Sequence, residues 1–189
     1  KHRRRQRQMC IRDSMQTLDQ DVLIVDIGGG STEFAIGQRF DPYFRESCRM
    51  GCVSFRRDYF SAGIDSLAFR RAHTAALQAM EKYLPRLGKL RWDKTFATSG
   101  TAKTLERLCA ESTPTGSPIT LEKLFEIRDR LIDEASVNWL LELGVDEERV
   151  DLVPGGLAIL LATMETLAIN EVLYKDVALR EGVLYELDE

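Results

Sequence analysis

The sequence predicts an α/β fold in which a mixed β-sheet is flanked by helices. Val22-Leu23-Ile24-Val25 is a continuous apolar run, which is typical of a strand buried on both faces. Gly28-Gly29-Gly30 permits a tight reversal with positive φ, and Thr32–Ile36 then returns as a second strand. Strand and helix patterns alternate from residue 94 onward. Strands of both orientations mixed with helices indicate a layered α/β architecture.

The remaining elements follow from hydrophobic periodicity and from turn residues. We expect next a strand over Phe40–Met50, a helix over Val53–Phe60, and a helix that Asp65 caps and that runs to about Leu84. A strand over Lys94–Thr98 should follow, then helices from Ser99 to Cys109, from Thr120 to about Asp133 and over Ser136–Leu143. The chain should end with a helix over Leu157–Ile169 preceded by Pro154-Gly155-Gly156, a strand near Val172–Tyr174 and a short closing helix.

Length and composition predict one globular domain. The chain has 189 residues, of which 44% are hydrophobic and 30% charged. Since no apolar run approaches the ~20 residues of a membrane span and no secretory signal is present, we expect a cytoplasmic protein without a membrane span. The net charge of −4 argues against a broad nucleic-acid-binding face. Four cysteines without metal-ligand spacing are expected to be free thiols rather than zinc ligands.

Residues 1–14 differ from the rest of the chain in charge. They contain six basic side chains against the single acid Asp13. Such a segment could be a tail for nucleic acid or an acidic partner. The string RQRQMCIRDS, however, resembles a translated sequencing adapter, so we interpret residues 1–14 as an artefactual or disordered leader and residues 15–189 as the folded domain.

The segment around the glycine triplet carries the chemistry. Three consecutive glycines present bare backbone N–H groups in a turn, and such groups bind phosphate oxygens. Asp26 directly precedes the turn, and Glu33 lies on the returning strand, where its carboxylate can point toward the same space. Two carboxylates beside bound phosphate suit Mg²⁺, which prefers oxygen ligands shared with water and phosphate. The alternative is a plain hairpin with two solvent-facing acids.

Asp26–Glu33 resembles the second phosphate-binding loop of the exopolyphosphatase/guanosine-pentaphosphate phosphohydrolase (Ppx/GppA) family. Further segments resemble family motifs in the same order, namely Arg49–Phe55, Ser99-Gly100-Thr101, Pro154–Leu160 and Ala178-Leu179-Arg180-Glu181-Gly182. The resemblance covers essentially residues 21–187. It implies a ribonuclease-H-like half of the actin/sugar-kinase/heat-shock-protein ATPase fold.

The resemblance also implies roles for individual residues. Asp26 and Glu33 would bind the catalytic Mg²⁺, and Glu33 would help to orient the attacking water. The expected phosphate-binding residues are Gly28, Gly29, Gly30, Ser31, Thr32, Ser99, Gly100, Thr101, Lys103 and Arg180. A glycine turn that opens a helix offers free N–H groups and a positive dipole to an anion, although Ser99–Thr101 could also be a simple helix cap. Arg180 could bind an anion or pair with an acid.

In the family the cleft lies between two similar halves, and nothing before Asp21 resembles the amino-terminal half. We therefore expect this chain to form one side of the active site, to have weak or no turnover by itself and to self-associate, for example as a homodimer, through the face that should meet the other half.

Four functions remain open from the sequence. The leading one is Mg²⁺-dependent release of terminal phosphate from inorganic polyphosphate. The alternatives are hydrolysis of guanosine pentaphosphate, an ATP-binding kinase-like or chaperone-like half, and a non-catalytic module that binds phosphate or polyphosphate.

Overall fold

A computed structural model describes residues 20–38, 41–110 and 117–176 of the chain. The strands are β1 (Val22–Ile27), β2 (Thr32–Gln38), β3 (Asp41–Cys48), β4 (Lys94–Thr98), β5 (Ile119–Thr120) and β6 (Glu171–Tyr174). The helices are α1 (Cys52–Tyr59), α2 (Ser66–Met80), α3 (Leu84–Leu87), α4 (Ser99–Cys109), α5 (Leu121–Glu134), α6 (Trp139–Glu142), α7 (Glu147–Val150) and α8 (Val153–Thr166). The leader at residues 1–14, Arg180 and the predicted closing helix lie outside the described residues.

The six described strands form one mixed sheet in the order β3-β2-β1-β4-β6-β5. Strands β1, β4 and β6 are parallel neighbours, whereas β2, β3 and β5 pair antiparallel. The predicted α/β class and the mixed sheet flanked by helices are therefore confirmed. The parallel strands β1 and β4 end at the same edge of the sheet, which is where the glycine turn and the start of α4 lie.

The third strand begins at Asp41 and ends at Cys48, so Pro42 lies inside the strand rather than in a turn before it. Because β3 is an edge strand, a proline that cannot donate a ladder hydrogen bond is tolerated there. The register shifts between Ile36 and Gly37, where the long strands β2 and β3 pair. This shift sets which residue of β3 lies opposite Glu33.

Helix α2 ends at Met80, four residues before the predicted end at Leu84. Asp65 caps it as expected, because its side chain accepts a hydrogen bond from the Ala68 N–H at 2.7 Å. Pro85 lies in the first turn of the separate helix α3. Within one continuous helix Pro85 could not donate a hydrogen bond to Glu81 O, and its ring would clash with that carbonyl, so the pattern breaks into two helices.

Helix α8 begins at Val153 and contains Pro154, Gly155 and Gly156 in its first turn, so the prediction that these residues precede the helix was wrong. Proline is tolerated in a first turn because the N–H that it lacks has no partner within the helix. Every residue from Val153 to Met164 is buried. The helix is therefore the centre of the helical layer and packs against α1, α2, α4 and α5.

The region between α5 and α8 was predicted less well. The expected helix over Ser136–Leu143 is only the short α6, and α7 was not predicted at all. In the described part of the chain, no helix is both long and apolar enough to cross a membrane.

Candidate functional site

Four polar residues lie in one row across neighbouring strands. Asp26 of β1 pairs directly with Glu33 of β2 and with Thr98 of β4, and Glu33 pairs with Ser47 of β3. Side chains of directly paired residues share one face of a sheet. The row therefore brings the two predicted carboxylates together, with a hydroxyl at each end, at the edge where β1 and β4 stop.

The Glu33 carboxylate is held through one of its oxygens. Its Oε1 accepts hydrogen bonds from Ser31 Oγ at 2.5 Å and from Ser47 Oγ at 3.1 Å. Its Oε2 is buried and, within the described part of the chain, has no hydrogen-bond partner. A buried carboxylate oxygen without a partner is costly, so this atom is expected to serve a ligand.

Helix α1 holds the glycine turn, which we define as residues 28–31. The first N–H groups of a helix have no partner within it. Here the Cys52 N–H donates to Gly28 O at 2.9 Å, and the N–H groups of Val53 and Ser54 donate to Gly29 O at 3.0 and 3.2 Å. The carbonyl groups of both turn peptides are therefore directed at the positive end of α1.

This arrangement leaves two N–H groups directed away from α1. In a trans peptide the N–H points opposite to the C=O, and no described peptide bond is cis. The peptide whose carbonyl belongs to Gly28 carries the N–H of Gly29, and the next peptide carries the N–H of Gly30. Among the described residues neither N–H has an acceptor. Their dipoles are aligned with that of α1, which favours an anion.

Two of the predicted phosphate-binding residues have donors that already make hydrogen bonds within the protein. The Gly28 N–H donates to Ser31 O at 2.8 Å within the turn. Thr32 is fully buried, and its hydroxyl donates to Met50 O at 2.6 Å. Both donors are already engaged inside the protein, and the Ser31 hydroxyl is bound to Glu33, so the donors left in the turn are the backbone N–H groups of Gly29, Gly30 and Ser31.

The reason for the glycines also differs from the prediction. None of the turn glycines has positive φ, whereas Gly63 and Gly144 do among the described residues. The close contact instead involves Gly51, where an added Cβ would overlap the backbone of Gly29 and Gly30. Glycine is therefore required at position 51 so that α1 can approach the turn closely enough to bind its carbonyl groups.

The second predicted anion site, Ser99-Gly100-Thr101, opens α4 at the end of β4; we call it the α4 turn. Its N-cap Thr98 makes no side-chain capping bond. The buried hydroxyls of Thr98 and Ser99 have no hydrogen-bond partner in the described chain. Ser99 has a φ of 93°, a conformation that costs about 1–3 kcal/mol in a non-glycine residue. Free donors, orphaned hydroxyls and strain favour an anion site over a simple cap.

Arg149 was missed by the sequence analysis. Its guanidinium lies against Gly100, where an added Cβ would overlap it, and it makes no ion pair with any described residue. A cation at the positive end of α4 is unfavourable unless an anion lies nearby. No local pattern identifies Arg149, because it lies on the four-residue helix α7, far from Gly100 in the sequence. Lys103, by contrast, is exposed on α4.

The residues present fit a magnesium ion. Asp26 is 5% exposed and pairs directly across the strands with Glu33, whose Oε2 has no hydrogen-bond partner among the described residues. Within the described ranges no cluster of three or more acidic, histidine or cysteine side chains occurs. Mg²⁺ suits such a sparse site, because it is usually held by one or two carboxylates together with water and phosphate oxygens.

Two buried cysteines, Cys48 and Cys109, are not suited to this chemistry. Burial raises the pKa of Cys48 to about 11 and that of Cys109 to about 12. Both thiols are therefore protonated at neutral pH, whereas metal ligation and nucleophilic attack require a thiolate. The candidate functional groups of this edge are therefore the carboxylates and the backbone N–H groups.

Comparison with known proteins gives relatives of two kinds. A provisionally named exopolyphosphatase of Haemophilus influenzae is 39% identical over 168 residues, which cover 88% of this chain and 52% of the relative. A guanosine-5'-triphosphate,3'-diphosphate pyrophosphatase of Aeromonas hydrophila is 34% identical over 166 residues, which cover 87% of this chain and 33% of the relative. The chain thus spans about half the length of the first protein and a third of the second.

Solved structures share the fold. The crystal structure of the Aquifex aeolicus Ppx/GppA family member superposes with a TM-score of 0.76 at 23% identity and covers 92% of this chain and 58% of its own. An exopolyphosphatase structure from Cytophaga hutchinsonii gives a TM-score of 0.74 at 21% identity and covers 97% and 63%, respectively. At these identities the likeness establishes the actin-like α/β fold alone.

The family assignment rests on the sequence. The model of the Ppx/GppA phosphatase family matches residues 7–189, which is nearly the whole chain and starts within the segment that we interpret as a leader. This chain therefore belongs to the Ppx/GppA phosphatase family.

Proposed function

We propose that this chain forms one side of a Mg²⁺-dependent site that releases terminal phosphate from inorganic polyphosphate. The observation that carries the proposal is that N–H groups able to bind phosphate and carboxylates able to bind a cation lie at the same edge of the sheet. The free N–H groups of Gly29 and Gly30 can bind phosphate oxygens, and the carboxylates of Asp26 and Glu33 can bind the cation that accompanies them. The family and its named relatives support hydrolysis of phosphate compounds in general.

In this site the residues of the chain would have separate roles. The N–H groups of Gly29 and Gly30 bind and orient the terminal phosphate. The Ser31 and Ser47 hydroxyls fix Glu33 through Oε1, so Oε2 is the oxygen that faces the metal or the attacking water. Bound Mg²⁺ would neutralise charge on the phosphate oxygens. Phosphoryl transfer depends mainly on such positioning and charge neutralisation.

The α4 turn would bind a further phosphate of the same substrate. It presents free donors, the hydroxyls of Thr98 and Ser99, and the Arg149 guanidinium over Gly100. A chain of linked phosphates can place one phosphate at each turn. This favours a substrate with several successive phosphoryl groups.

Guanosine pentaphosphate is the second candidate substrate, because it also carries linked phosphates. The Aeromonas hydrophila relative is named for that reaction at 34% identity, whereas the Haemophilus influenzae relative named for polyphosphate is 39% identical. The difference favours polyphosphate only slightly, so both substrates belong in the same assay.

The test measures phosphate release from long-chain polyphosphate and from guanosine pentaphosphate, each with and without Mg²⁺. The chain is assayed alone and also in a chimera, where it replaces the matched 168-residue segment of the Haemophilus influenzae relative. We expect little release from the chain alone and Mg²⁺-dependent release from the chimera, with faster release from polyphosphate.

Two variants of the chimera give the assay its controls. Glu33→Gln keeps the size of the side chain but removes its charge, and we expect it to lower the rate by roughly 100-fold or more. Glu46 lies in the same sheet, but its carboxylate pairs with Arg86 and not with the serines that bind Glu33. Glu46→Gln should therefore leave the rate nearly unchanged. Release that needs neither Mg²⁺ nor Glu33 would contradict the proposal.

A further inference from the structure

The first turn of α8 contacts the first turns of both helices that begin at the two anion sites. Gly155 faces α1, which binds the glycine turn, and Gly156 faces Thr101 in the α4 turn. One helix therefore lies between the two phosphate-binding elements and touches both at their amino-terminal ends.

The contact at Gly155 is with the backbone of α1. An added Cβ would lie 2.5 Å from Cys52 O and 2.9 Å from Arg56 N, distances at which the backbone would have to move. Cys52 is also the residue whose N–H donates to Gly28 O at 2.9 Å. A shift of α1 away from α8 would therefore move the glycine turn with it.

The contact at Gly156 is with the α4 turn. An added Cβ would overlap Thr101 Cγ2, whereas the next nearest atoms, Thr101 Cβ and Cys52 Cβ, would lie at 3.5 and 3.6 Å. Of these three nearest atoms, only the Thr101 methyl carbon is too close to an added Cβ at position 156.

Helix α8 is packed tightly enough to keep α1 and α4 at these contacts. Its residues from Val153 to Met164 are buried, and protein interiors are packed too densely to absorb a displaced helix without cost. The pairing of β1 with β4 places both turns at the same edge of the sheet, and the approach of α1 and α4 to α8 then adjusts the separation between the turns. Glycine at both positions gives the shortest approach.

We propose that Gly155 and Gly156 are positioning residues that set the separation between the glycine turn and the α4 turn. At this separation two phosphates of one chain are bound together, so the site selects linked phosphates over orthophosphate. This inference rests on the proposed function, because it takes both turns to bind phosphate. It adds the physical basis of that selectivity and assigns it to residues that touch neither phosphate.

The test measures binding of tripolyphosphate and of orthophosphate to this chain by calorimetry in the presence of Mg²⁺. Gly156→Ala should separate the turns and weaken tripolyphosphate binding by about tenfold or more, because small misplacements of binding groups are costly. In the proposal orthophosphate binds at one turn, so its affinity should change by less than about twofold. Thermal unfolding checks that each variant is folded.

A double variant distinguishes spacing from general damage. Thr101→Ser removes Cγ2, so Gly156→Ala in that background should meet only ordinary contacts and recover the preference for tripolyphosphate seen in Thr101→Ser alone. Ile159→Val, which trims a fully buried side chain of the same helix, should lower stability without changing the preference.

The outcomes separate the two proposals. An unchanged preference in Gly156→Ala, or a loss that Thr101→Ser does not repair, overturns the inference and leaves the proposed function standing. A wild-type chain that binds no tripolyphosphate with Mg²⁺ contradicts the proposed function itself and removes the basis of the inference.

Discussion

The Val53 N–H donates a hydrogen bond to the carbonyl oxygen of Gly29 at 3.0 Å. The same turn peptide carries the free N–H of Gly30 on its other side. A helix amino terminus, which can bind an anion directly, is here connected to the proposed anion site through a peptide of the turn. The orientation of the turn, and with it the proposed phosphate site, depends on α1.

Gly51→Ala should therefore damage the site through packing alone. Its Cβ would overlap the backbone of Gly29 and Gly30, and overpacking of this kind costs about 1–3 kcal/mol or more. We expect a lower midpoint in urea unfolding and loss of Mg²⁺-dependent tripolyphosphate binding.

Gly30→Ala is the matched control for stability. A Cβ at Gly30 would meet nothing within 4 Å, and its φ is not positive. We expect a change in unfolding free energy within about 0.5 kcal/mol. Equal destabilisation by the two substitutions would show that glycine is needed at position 51 for a reason other than close approach.

Ser47→Ala should weaken the proposed metal site without removing it. The substitution deletes one of the two hydroxyls that bind Glu33 Oε1, while Ser31 still binds it. We expect Mg²⁺-dependent tripolyphosphate binding to weaken by roughly threefold to tenfold, corresponding to about 1 kcal/mol. Ser61→Ala, at an exposed position, is the control, and an equal effect of both changes would exclude a specific role for Ser47.

Arg149→Ala should lower the affinity for tripolyphosphate and make binding less sensitive to salt. Its guanidinium lies over Gly100 without an ion pair among the described residues, so a bound anion would be its partner. A charge-assisted hydrogen bond at an accessible site suggests a loss of roughly 1 kcal/mol. Calorimetry at low and high ionic strength measures both effects, with Arg70→Ala, an exposed arginine on α2, as the control. Equal effects of the two arginines would indicate a general effect of charge.

The fold and the centre of the site could be predicted from sequence because their determinants are local. Val22–Val25 and the glycine triplet define a hairpin, and a short hairpin loop fixes the register of its strands. Asp26 and Glu33 are separated by only that loop, so their pairing follows from it. The fold class needed little more than the alternation of strands and helices.

The parts that could not be predicted depend on contacts between distant segments. Ser47 lies opposite Glu33 only because the register shifts at Ile36/Gly37, which no hydrophobic pattern reveals. Arg149 reaches Gly100 from a helix of only four residues. Gly51 is an isolated glycine in the sequence, and the reason that it must be glycine is visible only in the contact between α1 and the glycine turn. The prediction of positive φ at the turn glycines was wrong, because the turn closes with negative φ at these residues.

The buried thiols predict how stability varies in alkaline solution. The pKa of Cys48 is raised from 9.0 to about 11 and that of Cys109 from 9.0 to about 12, in both cases mainly by burial. Above the unfolded value the unfolded chain loses these protons before the native protein does, so it binds fewer protons and native stability falls as pH rises. Urea unfolding should show a decline that begins near pH 9 and continues to about pH 11 for Cys48 and about pH 12 for Cys109.

Alanine at both positions is the control for that decline. The double variant Cys48→Ala, Cys109→Ala should have a flatter dependence of unfolding free energy on pH than the wild type. An unchanged slope would mean that other groups cause the decline.

The most direct test of the central claim follows the backbone amides of the chain by ¹⁵N NMR during titration with tripolyphosphate and Mg²⁺. The account predicts that the amide resonances of Gly29 and Gly30 shift most strongly, and that Glu33→Gln removes the part of the response that requires Mg²⁺. If these two amides do not move while amides elsewhere in the chain do, the glycine turn is not the phosphate site.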